Sequence, residues 1–411
     1  MLDICKELRN AGEHAWVVGG CVRDTLRGER VNDWDVATTA LPEKVSKVFR
    51  KVIPTGIDHG TVTVLWKGEG FEVTTLRGEG LYSDGRRPDH VVFVGDIDQD
   101  LARRDFTVNA IAYDPVDGTI ADPFGGLEDM KKKVLRAVGT PSERFSEDGL
   151  RILRGARFAA TLEFELEPET EAAFRGALDT FRKVSPERVR EEWLKTMKAS
   201  KPSRAFEVMR RTGILEVTYP ELLEQVGCEQ TKWHAYDVWN HTRRVLDESE
   251  GGPVERVAAL LHDVAKPRTR AHSDKTNDWT FYHHEKVGAD MADTLLREYR
   301  VSNEERELIT ALIRHHLICY SSEWTDAAVR RFIKRVGTTR IDPLLRLGEA
   351  DALGKGREVQ AELAALRELR GRVDQVMEQG GALTTGDLAV RGTDVIPLLD
   401  GGAGPAVGKI L

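Results

Sequence analysis

Two glycines followed by two spaced aspartates constrain this chain more than any other feature. Val17-Val18-Gly19-Gly20-Cys21-Val22-Arg23-Asp24 is followed closely by Asp33-Trp34-Asp35. Val17 and Val18 end a short apolar run, the glycines permit a tight turn with exposed backbone N–H groups, and Leu26 is placed to pack a helix beginning near Arg23. That combination is a seat for phosphates. A strand over 32–38 would project Asp33 and Asp35 from one face, because side chains two apart on a strand point the same way. Two carboxylates side by side repel unless a divalent cation lies between them. Such a pair can hold one or two Mg²⁺ ions, which activate an attacking hydroxyl and stabilise a pyrophosphate leaving group.

At 411 residues, 40% hydrophobic and 31% charged, the chain can bury about two to four domain cores. A net charge of -8 excludes a protein that coats nucleic acid by bulk charge, though not one with a local basic track. Cys5, Cys21, Cys228 and Cys319 show neither metal-ligand spacing nor the density of a disulfide scaffold, which points to free thiols in a reducing compartment. With no signal-peptide pattern and no apolar run of membrane-spanning length, the expectation is a cytoplasmic protein without a membrane partner.

Read together, the Gly-Gly-x-x-Arg-Asp and Asp-x-Asp segments resemble the nucleotidyltransferase superfamily of DNA polymerase beta. The branch is that of class II tRNA nucleotidyltransferases and bacterial poly(A) polymerases. Leu2 to Asn10 reads as an amphipathic helix leading into a Trp16–Val18 strand, and 42–50 as a second helix with Pro42 in its first turn. Thr61–Leu65 and Phe71–Thr75 read as a hairpin, with Phe71, Val73 and Thr75 on one face and Glu72 on the other. The resemblance makes Glu72 a third carboxylate beside Asp33 and Asp35. It likens Leu81–Asp89 to the flexible loop of CCA-adding enzymes, whose length favours addition of the terminal A.

Arg103-Arg104-Asp105-Phe106-Thr107-Val108-Asn109 reads as a helix start, where two cations would oppose the helix dipole unless they faced a triphosphate. The segment matches the family's Arg-Arg-Asp motif, and the resemblance gives Arg104 to the nucleotide, along with Gly20 and Arg23. Asp122–Asp129 matches a motif assigned to a hinge between head and neck. A helix starting at Ser146 would carry Asp148, Arg151, Arg154 and Arg157 at intervals of three. Each step of three falls about 60° short of register, so Asp148 and Arg151 would sit together and Arg157 nearly opposite.

A carboxylate accepts from the amino group that cytosine and adenine share, and a guanidinium donates to the neighbouring ring nitrogen. Uracil and guanine present the opposite pattern. In the family this motif is the protein template for the incoming base, with Arg154 and Arg157 also at nucleotide positions. Residues 185–211 are helical and locally basic, a candidate track for an RNA backbone.

After a boundary near Tyr219-Pro220 the histidines concentrate. His241, His262-Asp263, His283-His284, His315-His316 and Asp351 match the HD phosphohydrolase pattern. The match implies one divalent metal on His241, His262, Asp263 and Asp351, with His284 and His316 nearby; the donors suit Mn, Ni, Fe or Mg. A long helix after Lys355 and the Gly404-Pro405 segment resemble the family's tail.

The expected fold is α+β: a polymerase-beta-like nucleotidyltransferase head over 1–137 with a small mixed β-sheet and helices, then all-α neck (138–223), HD (224–356) and tail (357–411) domains. The resemblance implies addition of C, C and A to the tRNA acceptor end from CTP and ATP, no DNA partner, Mg²⁺ in the head and a second divalent metal in the HD domain. Three rivals remain: an A-adding enzyme with a CC-adding partner, a poly(A) polymerase, and an HD phosphohydrolase with a tRNA-binding head.

Overall fold

A computed structural model describes residues 1–31, 33–78, 92–379 and 392–399. They form two compact units, Met1–Thr218 and Tyr219–Leu411. The loop at 81–89 and the Gly404-Pro405 segment lie outside the described residues.

The first unit opens with α1 (Leu2–Asn10), β1 (Ala15–Val18), α2 (Gly20–Leu26), β2 (Asp35–Thr38) and α3 (Pro42–Val48). It continues with β3 (Val52–Gly56), β4 (Thr61–Trp66), β5 (Glu69–Thr75), α4 (Ile97–Ala102), β6 (Ala112–Asp114) and β7 (Thr119–Ala121). The strands make one mixed sheet in the order β3-β4-β5-β2-β1-β6-β7. β2 lies at its centre, antiparallel to β1 and parallel to β5, with Asp35 directly opposite Glu72. Strand alternation sends Val17, Val36, Val62 and Val73 into a core with α1 and α3, and Val18 and Ala37 into a second core on the other face. Glu72 is exposed between buried Phe71 and Val73, as alternation predicts.

The structure departs from the sequence reading at four places. The helix after the glycines begins at Gly20 rather than near Arg23, and Leu26 is exposed instead of packing it. β2 begins at Asp35, so Asp33 precedes the strand and does not share its face by alternation. Arg103 and Arg104 follow the C-terminal end of α4 rather than opening a helix, and at that end the dipole favours cations. Finally, the segment from Ser146 is not one helix: Pro141–Glu147 is a helix, Asp148 is extended (φ -143°, ψ 106°), and a new helix runs Leu150–Thr161. The interval-of-three argument therefore does not apply to Asp148.

Gly149 supplies the physical reason for the break. A Cβ there would stand 2.4 Å from the Phe181 backbone nitrogen, so the chain crosses the 180–181 backbone too closely for a side chain. Gly149→Ala should cost about 2–3 kcal/mol as an overpacked site, read as a lowered unfolding midpoint, and should disturb Asp148 next to it. The helix is then held by Phe158, whose ring meets Phe106 edge to face at 5.8 Å.

The second unit is helical apart from a small hairpin, Ala271–Ser273 with Asp278–Thr280. Its helices include Val238–Glu248, Pro253–Leu261, His284–Glu298, Asn303–His315 and Ile341–Gly354. The long helix expected after Lys355 begins at Gln360, because Gly356 (φ 66°) interrupts the chain. Among the described residues no helix is long and apolar enough to cross a membrane.

Candidate active site and metal centre

A cavity of about 640 Å³ opens in the first unit. It is lined by Gly19, Gly20, Asp33 and Asp35, by Arg23, Arg104, Arg154 and Arg157, and by Asp148 and Arg151. Every sequence-predicted nucleotide residue thus faces one space, while Glu72 stands beside Asp35 without being among the lining residues.

Gly19 is required twice. It has φ 77°, and a Cβ would come within 2.7 Å of the Arg104 Nη1. Glycine therefore lets the loop turn and lets an arginine lie against it. Arg104 is held from behind by Asp100, a buried carboxylate (1% exposed) that accepts from Arg103 through Oδ1 (2.6 Å) and from Arg104 through Oδ2 (3.1 Å). Arg23 donates to both oxygens of Asp24 (2.8 Å each) and to the Asn109 Oδ1 (2.5 Å).

Burial, then the charges of Glu72 and Asp33, push the Asp35 carboxyl above its usual range, with Arg104 opposing. That mutual repulsion is what a bound dication relieves, although among the described residues the three carboxylates do not form a donor group whose ligand atoms all lie within 4.8 Å of one another.

Arg154 bonds Asp105 through Nε (2.8 Å), and Arg157 bonds Glu192 (2.6 Å) while lying 4.0 Å from the centre of the Phe158 ring. Burial would raise Asp105, but Arg154 and the Asn109 amide hold it well below the usual carboxylate range. Arg157 is inside the cavity despite its angular distance from Asp148 on an ideal helix. Arg151 does not pair with Asp148. Its guanidinium bonds Glu147, the Arg144 carbonyl (2.8 Å) and the Arg103 carbonyl (2.9 Å). Asp148 instead meets Arg188, which the sequence reading had placed on the RNA track. Other members of that track also carry acid partners: Arg204 with Glu165, Arg211 with Glu171 and Lys195 with Glu192.

Sequence reasoning missed Asp100, Asn109, Arg188 and Glu192. The spacing of Asp100 to Arg103 and Arg104 (i, i+3 and i, i+4) was a usable signal. A cation in the first turn of the Pro186–Thr196 helix, against its dipole, was another.

In the second unit the histidines meet in the core. The Nε2 atoms of His241 and His262 lie 3.3 Å apart, with the Asp263 Oδ2 at 3.3 and 3.1 Å and the Asp351 Oδ1 at 3.0 and 3.7 Å. On the other oxygen of Asp263 are His284 Nε2 (3.4 Å) and His316 Nε2 (3.7 Å), themselves 3.2 Å apart. His262, His284 and His316 each direct Nδ1 at a backbone carbonyl, of Ala259 (2.8 Å), Phe281 (2.6 Å) and Ile313 (2.7 Å). A carbonyl only accepts, so Nδ1 carries the proton and Nε2 turns a lone pair inward. Lone pairs this close require a cation between them.

Asp263 has no well-formed hydrogen bond on either oxygen, although the Lys266 ammonium lies 2.6 Å away. Burial opposes the charge on His262, yet Asp263 and Asp351 raise it to about 10, while burial pushes His316 down to about 3. A metal ion between the rings would supply the positive charge that Asp263 and Asp351 favour there. The donor set fits a divalent metal, and two triads, His241/His262/Asp263 and Asp263/His284/His316, have ligand atoms close enough to hold one.

The chain matches the poly A polymerase head domain over 15–136, a probable RNA and SrmB-binding site of polymerase A over 163–225, and the HD domain over 233–353. It is 49% identical over 215 residues to a CCA-adding enzyme of Lactobacillus johnsonii, covering 52% of this chain and 54% of that protein. It is 42% identical over 248 residues to one from Listeria monocytogenes, covering 60% and 62%. These matches span little more than half the length of the curated relatives. Among solved structures, the Bacillus stearothermophilus CCA-adding enzyme in complex with CTP superposes with a TM-score of 0.71 at 29% identity, covering 99% of this chain and 89% of that one. The Thermotoga maritima CCA-adding enzyme, 20% identical with a TM-score of 0.60 over 100% of this chain and 88% of that one, shares the fold. The chain thus carries a match to a polymerase-type head, an RNA-binding region and an HD domain in that order, and over little more than half of its length it is similar to CCA-adding enzymes.

Proposed function

We propose that the chain adds C, C and A to the 3′ end of tRNA from CTP and ATP, without a nucleic-acid template. The observation that carries this reading is the cavity. Eight cationic side chains and four carboxylates line it, Asp33, Asp35 and Asp148 among them. A nucleoside triphosphate has the matching polarity: phosphates for Arg23 and Arg104, a base edge for Asp148 and Arg151. The 29% identical Bacillus stearothermophilus enzyme, solved with CTP, supports it.

In this reading Asp33 and Asp35, flanked by Glu72, would hold Mg²⁺, and the ion would supply positive charge at the attacking hydroxyl and the pyrophosphate leaving group. Gly20 and the loop N–H groups seat the phosphates, and Arg23 and Arg104 fix them for in-line attack by the RNA 3′-hydroxyl on the α-phosphate. Arg154 and Arg157 flank the nucleoside. Catalysis is then mainly positioning and charge stabilisation. The substrate RNA is the acceptor end of tRNA.

In the HD domain His241, His262, Asp263 and Asp351 hold a divalent metal, of the Mn, Ni, Fe or Mg group, for phosphohydrolase chemistry. The inward-turned lone pairs favour that second reading.

The test is incorporation of labelled CTP and ATP, separately and together, into tRNAs ending at the discriminator base, at C and at CC. Addition of CC and then A is the expected result. Addition of A to CC ends alone would mean a split pathway with a partner enzyme, and unlimited A on unrelated RNA would move the assignment to poly(A) polymerase.

A further inference from the structure

The carboxylate at the base end of the cavity is already held on two sides. Asp148 Oδ1 accepts from the Leu150 backbone N–H (3.0 Å) and from Arg188 Nη1 (3.2 Å), and Oδ2 accepts from Arg188 Nη2 (2.6 Å). A carboxylate has about four acceptor positions, so these bonds leave one free, on Oδ2. Both side chains line the cavity, and both are largely withdrawn from solvent, with 16% and 23% of their surface exposed.

The two parallel Arg188 bonds lock the plane of the carboxylate against the plane of the guanidinium, a constraint that a point charge cannot impose. Arg188 sits at the third position of the Pro186–Thr196 helix, where the helix dipole disfavours a cation. Its pairing with Asp148 offsets that placement. Arg151, the other guanidinium of the reading motif, is bound to Glu147 and two backbone carbonyls, so it does not orient Asp148 here.

We infer that Arg188 is a positioning residue for base selection. It fixes the one free acceptor site of Asp148 toward the base, so that the pocket accepts an amino group and turns away a carbonyl. Without the fork, Asp148 can rotate about its side-chain bonds. A turned carboxylate no longer accepts from the amino group of cytosine or adenine and no longer repels the carbonyl of uracil or guanine, so discrimination falls. The inference rests on the proposed reading of the cavity as a nucleotide site.

The test compares wild type, Arg188→Lys and Arg188→Gln for kcat/KM with CTP, ATP, UTP and GTP, alongside unfolding midpoints. The expected result is a fall in the CTP-over-UTP ratio of about tenfold for Arg188→Lys, which keeps charge but not the fork, and about a hundredfold for Arg188→Gln. In an Asp148→Asn background Arg188→Gln should produce no further fall, since the carboxylate it positions is gone. An unchanged ratio in a folded variant overturns the inference. So does an equal loss with all four nucleotides, which would make Arg188 a triphosphate contact. Should Arg188→Gln not fold, Arg188→Lys decides alone. A wild-type chain that incorporates neither CTP nor ATP would instead refute the underlying nucleotide reading, a separate outcome.

Discussion

Asp35→Ala should abolish nucleotide addition, lowering kcat by at least about 10³-fold while leaving the unfolding midpoint near that of the wild type. The residue opens the central strand and lines the cavity, outside both hydrophobic cores, and it is directly opposite Glu72. Its removal takes away a metal ligand and relieves repulsion rather than opening a void. Unchanged addition in the variant would sink the assignment of the head. A pH profile gives an independent reading. Burial, Glu72 and Asp33 all raise the Asp35 carboxyl, so as pH falls it takes up a proton before an ordinary aspartate does. Addition should therefore lose rate on the acid side, and raising Mg²⁺ should move that limb to lower pH, because metal and proton compete for the same oxygen. An acid limb insensitive to Mg²⁺ would contradict the metal-binding role.

The second large effect belongs to the other unit. Asp263→Asn should weaken divalent metal retention by about 10²-fold or more, seen as loss of the metal that co-purifies with the chain. Asp263 is the group both histidine triads share, each using a different oxygen. His262→Ala should likewise abolish metal-dependent hydrolysis and spare nucleotide addition. In the wild type, stripping metal with a chelator should lower the unfolding midpoint, since a ligand present at 100 times its Kd stabilises by about 2.7 kcal/mol. Full metal content in both variants would show that the histidines serve only the core. Loss of addition together with hydrolysis would show that the variant has damaged the fold.

Much of the head was legible because its signals are local. Alternation in Phe71-Glu72-Val73 assigns faces without knowledge of the partner strand, and the observed burial follows it. The Gly19-Gly20 pair signals a turn because few residues accept φ near 77°. The two edge strands of the sheet, β3 and β7, gave no such signal: their residues are mostly exposed, so little apolar periodicity marks them.

Where the sequence reading went astray, it extended a regular element through a point that tertiary contact interrupts. The helix expected from Ser146 breaks at Asp148-Gly149 because the backbone of Phe181 lies against Gly149. No periodicity in the segment itself records that crossing. The same limit hid Arg188, 40 positions from Asp148 in the chain, and hid which arginines of a basic helix face acids.

By itself the sequence determined residue types and their local spacing: glycines ahead of aspartates, an Arg-Arg-Asp run, histidines with a following aspartate, and the hydrophobic alternation that makes the sheet. Those depend on backbone sterics and on neighbours within a turn or a strand. The tertiary structure alone decided which charges meet: Asp100 behind two arginines, Arg188 on Asp148, and the two oxygens of Asp263 divided between pairs of histidines. Side-chain pairing at a few ångströms is set by packing between segments far apart in the chain, and Coulomb energy and hydrogen-bond geometry change over just those distances.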